Sequence, residues 1–365
     1  MIRTYRDIRS FVLFLFESKN QSQTTYHVIL PSPQMVLGKQ TKTGLENLAK
    51  TTTLATSNVR NSVVYSQLLL TMFLWGLAWP VGRLLAIGLP AVSIAVLRYA
   101  IVVPVLFGIL RAKQQPLTLE RRWIPSLVLM GLLSTTLYQA FFLFGVTYAA
   151  ASDDSLVIGI GPVLVAIMAS FILNERLNWT KGLGFVSALS GIAVISLLSP
   201  NTNVPNRILG VTLVFGGATA YALYTVLLRK FVATNRAQDD RPALSSLSIL
   251  AWISLFGWIF LIPFSLLESP WTYTWGPISW LGILYLALLS TVVGYFFYVE
   301  GVSKIGAGRA AIFGNLVPVF GVLTSALLLR ENLSPWHGVS FLLILTGVVL
   351  VNRQKRPLQT RTSLS

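Results

Sequence analysis

The chain has 365 residues, of which 54% are hydrophobic and 11% charged, and its mean hydropathy is +0.69. Soluble domains carry roughly a quarter charged residues, so this composition excludes an ordinary soluble protein. The sequence has no cysteine, which excludes disulfides and cysteine-ligated metal sites, and it has only two histidines. Because the common motifs of metalloproteases, serine hydrolases and nucleotide-binding loops are also absent, we expect no enzyme, no cofactor and no metal.

The first part of the chain, residues 1–63, is predicted to be a disordered cytoplasmic segment. Its longest apolar run is Phe11 to Phe16, which is too short to cross a membrane. The residues that follow are rich in Thr, Ser, Gln and Asn, and such a composition buries too little apolar surface to fold.

Ten long apolar windows follow this segment. A helix of about 17–25 apolar residues crosses the hydrocarbon core of a bilayer. The windows cover about 65–85, 91–110, 123–145, 153–173, 181–198, 208–228, 244–265, 278–300, 309–329 and 336–352. The sequence therefore predicts an all-α, polytopic membrane protein with ten spans.

The net charge of +16 is distributed in a way that predicts topology. The N-terminal segment, the loops after even-numbered spans and the C-terminal tail together carry 24 of the 28 Lys and Arg residues. The other loops carry only Arg83, Arg207 and Arg330, and Arg98 lies inside a span. Cytoplasmic loops carry the positive excess, so both termini are expected in the cytoplasm. Nucleic-acid binding is the weaker interpretation of the basic charge.

An internal repeat is visible when the chain is shifted against itself by 156 residues. Pro162 then meets Pro318, Glu175 meets Glu331 and Gly191 meets Gly347, among 13 identities between positions 138 and 196. At a shift of 146, Arg83 meets Arg229 and Trp75 meets Tyr221, and a polar loop near residue 236 absorbs the difference. The predicted organisation is a first five-helix repeat at 64–199, a second at 207–352 and a cytoplasmic tail at 353–365.

Each repeat has an odd number of spans, so the second enters the membrane from the opposite side. Inverted repeats are characteristic of secondary transporters, which open alternately to the two sides of the membrane. A membrane enzyme or a structural membrane subunit has no need of this symmetry and remains the less favoured alternative.

Several segments resemble the EamA-type family of the drug/metabolite transporter superfamily: LLLTMFLWGLAWPVGRLLA, VLRYAIVVPVLF, GPVLVAIMASFILNERLNWTKGLGFVSALSGIAVI, and LLSTVVGYFFYVEGVSKIGAGRAAIFGNLVPVFGVLTSALLLRENLSPWHGVSFLLILTGVVL. The resemblance covers about residues 66–352. It implies ten helices around a central cavity, lined mainly by spans 1, 3, 4, 6, 8 and 9, and export of amino acids or other metabolites. Some members carry a glutamate before the span 9 proline, where this chain has Val317.

Two matched prolines are candidates for a hinge or a cavity lining. Pro162 and Pro318 each lie near the middle of a span, where proline removes a backbone donor and frees the carbonyl one turn earlier. Asn315 adjoins the second proline. Interrupted helices at matching positions indicate a transport site, although proline also serves as a packing kink in membrane helices.

Aromatic and amide side chains near the middle of other spans are candidates for the substrate cavity. Such rings can stack on an organic substrate, and their polar groups can form hydrogen bonds to it. The alternative is the aromatic belt at the membrane surface, which accounts for the Trp residues at span ends. The cavity candidates are Trp75, Trp79, Tyr138, Gln139, Phe142, Tyr221, Tyr224, Tyr295 and Tyr298.

The charged candidates are Arg98, Asp153, Asp154 and Glu300. Arg98 is expected to pair with a protein group, to bind an anionic substrate or to extend to the membrane surface. Ser152 or Asp153 is expected to cap span 4, which leaves Asp154 without an assigned role except a coupling proton or a cation. Glu300 is expected to pair with Lys304.

These observations predict a plasma-membrane secondary transporter that exports amino acids or similar small organic metabolites through a midplane cavity. The alternative substrates are nucleotide-sugars or phosphorylated metabolites, which need several basic cavity residues where only Arg98 is available. The spans hold no carboxylate at the midplane, which favours facilitated diffusion or exchange over proton coupling. The expected partners are the metabolite and the lipid bilayer, and no oligomeric state follows from the sequence.

Overall fold

A computed structural model describes residues 39–175, 177–199, 204–237 and 244–352. Ten helices among these residues are long and apolar enough to cross a membrane, and the described part contains no strand. Spans 1 to 10 are Ser62–Ala86, Ala91–Ala112, Arg121–Tyr148, Ala151–Ile172, Trp179–Leu198, Arg207–Thr234, Ser246–Leu267, Pro277–Ile305, Arg309–Leu329 and Pro335–Asn352. The predicted all-α fold with ten spans in two five-helix repeats is confirmed.

Span 1 is the C-terminal part of a longer helix, Lys39–Ala86. The chain divides into two units, Met1–Ser57 and Asn58–Ser365, and all ten spans belong to the second. The helix begins well before the predicted boundary at residue 63. The rest of the predicted disordered segment, residues 1–38, and the tail at 353–365 lie outside the described residues.

An even number of spans places the start of span 1 and the end of span 10 on one face, here called the terminal face. The opposite face, here called the distal face, carries the loops that follow odd-numbered spans. Large apolar side chains such as Phe171, Leu267 and Ile278 are exposed on the sides of the bundle, at 71%, 82% and 85%. Exposed apolar side chains of this size on membrane-length helices are suited to contact lipid.

Spans 4 and 9 are both interrupted just before their prolines. Span 4 consists of Ala151–Val157, a 3-10 turn at Ile158–Ile160 and Gly161–Ile172. Span 9 is formed by two helices, Ala307–Gly314, which begins just before the span, and Leu316–Leu329, with the break at Asn315. The two breaks correspond at the 156-residue shift, and proline causes both because it removes the amide that would continue the helix.

Spans 3 and 8 share a second matched irregularity that the sequence analysis did not anticipate. A π-helical segment occupies Leu132–Leu137 in span 3 and Tyr285–Val293 in span 8. Such segments are rare and are found frequently at functional sites. Both repeats therefore contain a π segment in their third span and a break in their fourth.

Spans 5 and 10 pack closely because both carry glycine at their contact. A Cβ on Gly184 would lie 2.7 Å from the Gly347 carbonyl oxygen, and a Cβ on Gly347 would lie 2.9 Å from the Ala188 Cβ. Small residues let membrane helices approach until their backbones touch, which is a main source of helix association in lipid. This contact joins the last span of one repeat to the last span of the other.

We expect Gly347→Ala to destabilise the protein by about 1–3 kcal/mol because the added methyl overpacks this contact. Gly338→Ala in the same span is the matched control, because a Cβ there meets no atom within 4 Å. Thermal unfolding in detergent measures the effect. Equal melting temperatures for the two variants would show that the glycine contact does not hold spans 5 and 10 together.

Candidate functional site

All eight predicted aromatic residues form one contiguous cluster, here called the aromatic cluster. Trp75 on span 1 has its ring centroid 5.4 Å from that of Tyr295 and 5.3 Å from that of Tyr298, both on span 8. Trp79 packs edge-on against Phe142 of span 3 at 4.8 Å. These contacts bring spans 1, 3 and 8 together, and both repeats contribute.

Span 6 completes the cluster with its pair of tyrosines. Tyr221 lies 5.1 Å from Tyr138 and 5.2 Å from Tyr224, measured between ring centroids. Tyr138 also stacks on Phe142 at 6.4 Å. The hydroxyls of Tyr221 and Tyr295 are 3.3 Å apart, so a hydrogen bond joins the two sides of the cluster. The sequence placed these rings at mid-span, and the structure brings them together.

Arg98 lies buried beside this cluster, with 7% of its surface exposed. Its Nη1 donates to Gln139 Oε1 at 3.0 Å, and its Nε and Nη2 donate to Thr291 Oγ1 at 3.1 and 2.7 Å. Gln139 in turn donates to the Tyr99 hydroxyl at 3.3 Å. Of the options left open for Arg98, the structure therefore shows burial with neutral hydrogen-bond partners.

No carboxylate of the described residues lies within ion-pair distance of the Arg98 guanidinium. Its described partners, Gln139 and Thr291, are neutral, so its charge is solvated but not balanced. A buried charge without a counter-charge is unfavourable in a low-dielectric interior. The arrangement is therefore suited to attract an anionic group into the aromatic cluster.

Thr291 is a site residue that the sequence analysis missed. It lies in the π segment of span 8, and its hydroxyl donates to the Leu286 carbonyl, five residues earlier, at 2.8 Å. A signal for it exists in the sequence, because the tetrapeptide Leu-Leu-Ser-Thr occurs at 132–135 and again at 288–291, which is the 156-residue shift. In both spans this tetrapeptide lies in the π segment.

The two predicted prolines have different environments. Pro318 is buried, and together with Asn315 it lines an apolar recess between spans 4, 9 and 10. A Cβ on Gly159 of span 4 would lie 3.1 Å from Pro318 Cγ. Pro162 is exposed and does not line this recess. The role of all three residues as hinge or cavity lining stays a prediction.

A buried polar network lies at the distal face and is here called the distal closure. Glu331, which follows span 9, accepts hydrogen bonds from the amides of Ala151 and Ser152 at the start of span 4, at 3.0 and 2.9 Å. Its Oε1 also lies 3.6 Å from Nε of Arg83, whose Nη1 donates to the carbonyls of Val146, at 2.7 Å, and Ala149. Glu331 of the second repeat thus caps a helix of the first.

This capping corrects the expectation that Ser152 or Asp153 caps span 4. The N-cap position is Ala150, and no side chain of span 4 caps the helix. Asp153 instead binds Arg207 through Oδ2 at 2.8 Å, and its Oδ1 lies 3.2 Å from His337 Nε2. A second glutamate, Glu268 after span 7, caps span 2 in the same way by accepting from the amides of Val92 and Ser93 at 3.0 and 2.8 Å.

The repeat-related contacts on the terminal face are more open. Glu175, the counterpart of Glu331, lies 3.1 Å from Arg229, the counterpart of Arg83, and 3.7 Å from Lys181. The side chains of Arg229 and Glu175 are 56% and 38% exposed, whereas those of Arg83 and Glu331 are each 9% exposed. The predicted pair of Glu300 and Lys304 is present on this face at 2.5 Å.

Comparison with known proteins agrees with this architecture. Ten spans in two inverted repeats, with matched helix breaks and a polar and aromatic centre, define a membrane transporter. The chain belongs to the EamA-like transporter family, whose model matches residues 63–197 and 208–353. The resemblance seen in the sequence is thereby confirmed.

Individual relatives are transporters by name. The chain is 27% identical over 299 residues to the uncharacterized transporter YetK of Bacillus subtilis (strain 168), covering 80% of this chain and 88% of the relative. It is 28% identical over 293 residues to the "Probable amino-acid metabolite efflux pump" of Escherichia coli (strain K12), covering 77% and 92%. It is 25% identical over 293 residues to the "Probable terminal-alkyne amino-acid exporter" of Streptantibioticus cattleyicolor, covering 79% and 92%.

One solved structure, titled "Crystal structure of protein", matches with a TM-score of 0.55 at 17% identity. The match covers 79% of this chain and 96% of that chain. At this identity the likeness shows the fold alone.

Proposed function

We propose that this protein is a plasma-membrane secondary transporter that exports amino acids or similar small carboxylate-bearing metabolites by alternating access. Both termini are assigned to the cytoplasm, because the loops of the terminal face carry the Lys and Arg excess. The distal face is then extracellular, and substrate enters from the terminal face.

The observation that carries the proposal is the unequal environment of two repeat-related ion pairs. Arg83 and Glu331 close the distal face in a buried network, while their counterparts Arg229 and Glu175 are exposed on the terminal face. In an inverted repeat, exchanging the conformations of the two halves exchanges these two environments. The same residues then describe a second state that is closed on the terminal face and open on the distal face.

The aromatic cluster and Arg98 supply the substrate class. The guanidinium can form two parallel hydrogen bonds to a carboxylate, and the surrounding rings can pack on an apolar or cationic part of the same molecule. In this proposal Pro162, Asn315 and Pro318 serve the rearrangement of spans 4 and 9. The names of the Escherichia coli and Streptantibioticus relatives support amino acids as the cargo.

A nucleotide-sugar or a phosphorylated metabolite is the less favoured cargo. Such substrates carry more than one negative charge, and phosphate sites normally use several basic side chains. Among the described residues of the aromatic cluster and its hydrogen-bonded neighbours, Arg98 is the one basic group. A single carboxylate matches that charge.

Counterflow into liposomes tests the proposal. Liposomes with purified protein are loaded with one unlabelled amino acid at a time, and uptake of the same labelled amino acid is measured against empty liposomes. We expect at least one member of the panel to accumulate transiently. The panel contains amino acids, their decarboxylated amines and their amides. The proposal would be contradicted if none of these compounds is taken up above the level of empty liposomes.

A further inference from the structure

Asp154 is buried without a partner inside the distal closure. Its side chain is 0% exposed, and neither carboxylate oxygen has a hydrogen-bond partner among the described residues. The neighbouring acids differ, because Asp153 contacts Arg207 and His337 while Glu331 contacts two backbone amides and Arg83. Asp154 is therefore the carboxylate of this network whose burial no contact explains.

The charged groups around Asp154 come from five spans or the loops that adjoin them. Ser199, which follows span 5, accepts from Arg207 Nη1 through its carbonyl oxygen at 2.7 Å. The charged and titratable groups of the other elements are Arg83, Asp153, Arg207, Arg330, Glu331 and His337. Arg330 is exposed, so it is screened by solvent and does not neutralise the buried part of the network.

His337 lies against Asp153 and gives Asp154 no hydrogen-bond partner. The amide N–H of Ser334, which can only donate, lies 3.1 Å from His337 Nδ1. Nδ1 therefore accepts from this amide, and Nε2 lies 3.2 Å from Asp153 Oδ1 without a hydrogen bond to it. The buried network contains two arginines and three carboxylates, so the carboxylates exceed the arginines by one.

One proton removes that excess, and Asp154 is the acid with both oxygens free to hold it, whereas Asp153 binds Arg207 through Oδ2 and Glu331 accepts from two amides. A buried carboxylate with no donor near it is much less stable than its protonated form. Among the described residues no group of three or more His, Asp or Glu side chains is arranged to hold a metal ion. The proton has a short path, because Asp154 is three residues, or about 5 Å, from the distal start of span 4.

We propose that Asp154 is a proton-binding site that controls the distal closure. The carboxylate takes a proton from the distal solution when this face closes, and it returns the proton to the same solution when the face opens. No proton crosses the membrane in this cycle, so the pH on the distal side sets how often the face opens without driving accumulation. The inference rests on the transport cycle proposed above.

Spin-label distances test the site without any substrate. The chain has no cysteine, so Ile87→Cys and Leu333→Cys place two labels on exposed distal positions of different repeats. The Asp154→Asn substitution keeps the size of the side chain and removes its titration. Glu120→Gln, on an exposed loop of the terminal face, is the matched control.

Between about pH 5.5 and about pH 8.5, we expect the fraction of long distal distances to rise several-fold in the wild-type background. The Glu120→Gln control should respond equally, and Asp154→Asn should stay in the short-distance form at both pH values. A pH-independent distance in the wild-type background, or an unchanged response in Asp154→Asn, would overturn the proposal. So would a distance that follows sodium concentration at constant pH.

This test separates the inference from the proposed function. If counterflow fails and the distal distance still depends on Asp154, the proton site stands and the transport assignment falls. If counterflow succeeds and the distal distance does not change with pH, the transport assignment stands and the proton site is wrong.

Discussion

Replacement of Arg98 by methionine is expected to lower the apparent affinity for a transported amino acid by at least about 100-fold. A charge-assisted hydrogen bond to a carboxylate contributes about 1.5–3 kcal/mol, and the guanidinium can form two of them. Arg98→Lys should retain part of the affinity, because it keeps the charge and loses the fork geometry. Concentration-dependent exchange in liposomes measures both variants.

Two controls separate substrate binding from a structural role of Arg98. Arg111→Met removes the same side chain from an exposed position at the end of the same span and should leave exchange unchanged. The amide of the transported amino acid has no carboxylate for Arg98 to bind. It should therefore be a poor substrate for the wild type and an equally poor one for Arg98→Met. Arg98→Met should also unfold at an equal or higher temperature, since it removes a buried unbalanced charge. The assignment of Arg98 to carboxylate binding would be contradicted if Arg98→Met had the wild-type affinity for the amino acid, or if it still preferred the amino acid to its amide.

Replacement of Glu331 by glutamine is expected to open the distal face. The substitution removes the charge that pairs with Arg83 and that accepts from the amides of Ala151 and Ser152. Breaking a buried ion pair costs about 3–5 kcal/mol, so the closed distal state should lose most of its population. A cysteine introduced at Ser155, which is 0% exposed behind this network, reports the opening through its reaction with a membrane-impermeant maleimide.

Labelling of that cysteine should become at least about tenfold faster in Glu331→Gln, since each 1.4 kcal/mol corresponds to a factor of ten. Glu175→Gln is the matched control from the other repeat. Its exposed pair with Arg229 contributes about 0–1 kcal/mol, so labelling should change little. Equal labelling in the two variants would show that the distal closure does not depend on the buried pair.

The sequence was sufficient for the features that depend on local pattern. Hydrophobic windows predicted the ten spans, and the 156-residue shift predicted that spans 4 and 9 share an interruption, which Ile158–Ile160 and Asn315 now show. The mid-span aromatic residues were also predicted as a set. Ring pairs three or four residues apart share a helix face, and a bundle directs such faces towards a common centre.

The features that depend on contacts between repeats were not predictable in this way. Glu331 caps span 4 across 180 positions of sequence, so a search for local capping residues selected Ser152 or Asp153 instead. The partners of Arg98 depend on how the π segment of span 8 rotates Thr291 towards span 2. A helix periodicity of 3.6 residues does not place a residue beyond such a segment correctly.

The central claim is that the two faces open in alternation, and paired distance measurements in lipid test it most directly. Ile87→Cys with Leu333→Cys reports on the distal face, and the repeat-related pair Ala233→Cys with Leu177→Cys reports on the terminal face. The account predicts opposite changes: Glu331→Gln should lengthen the distal distance and shorten the terminal one. Two results would contradict the account: long distances on both faces at the same time, or a terminal distance that does not change when the distal face opens.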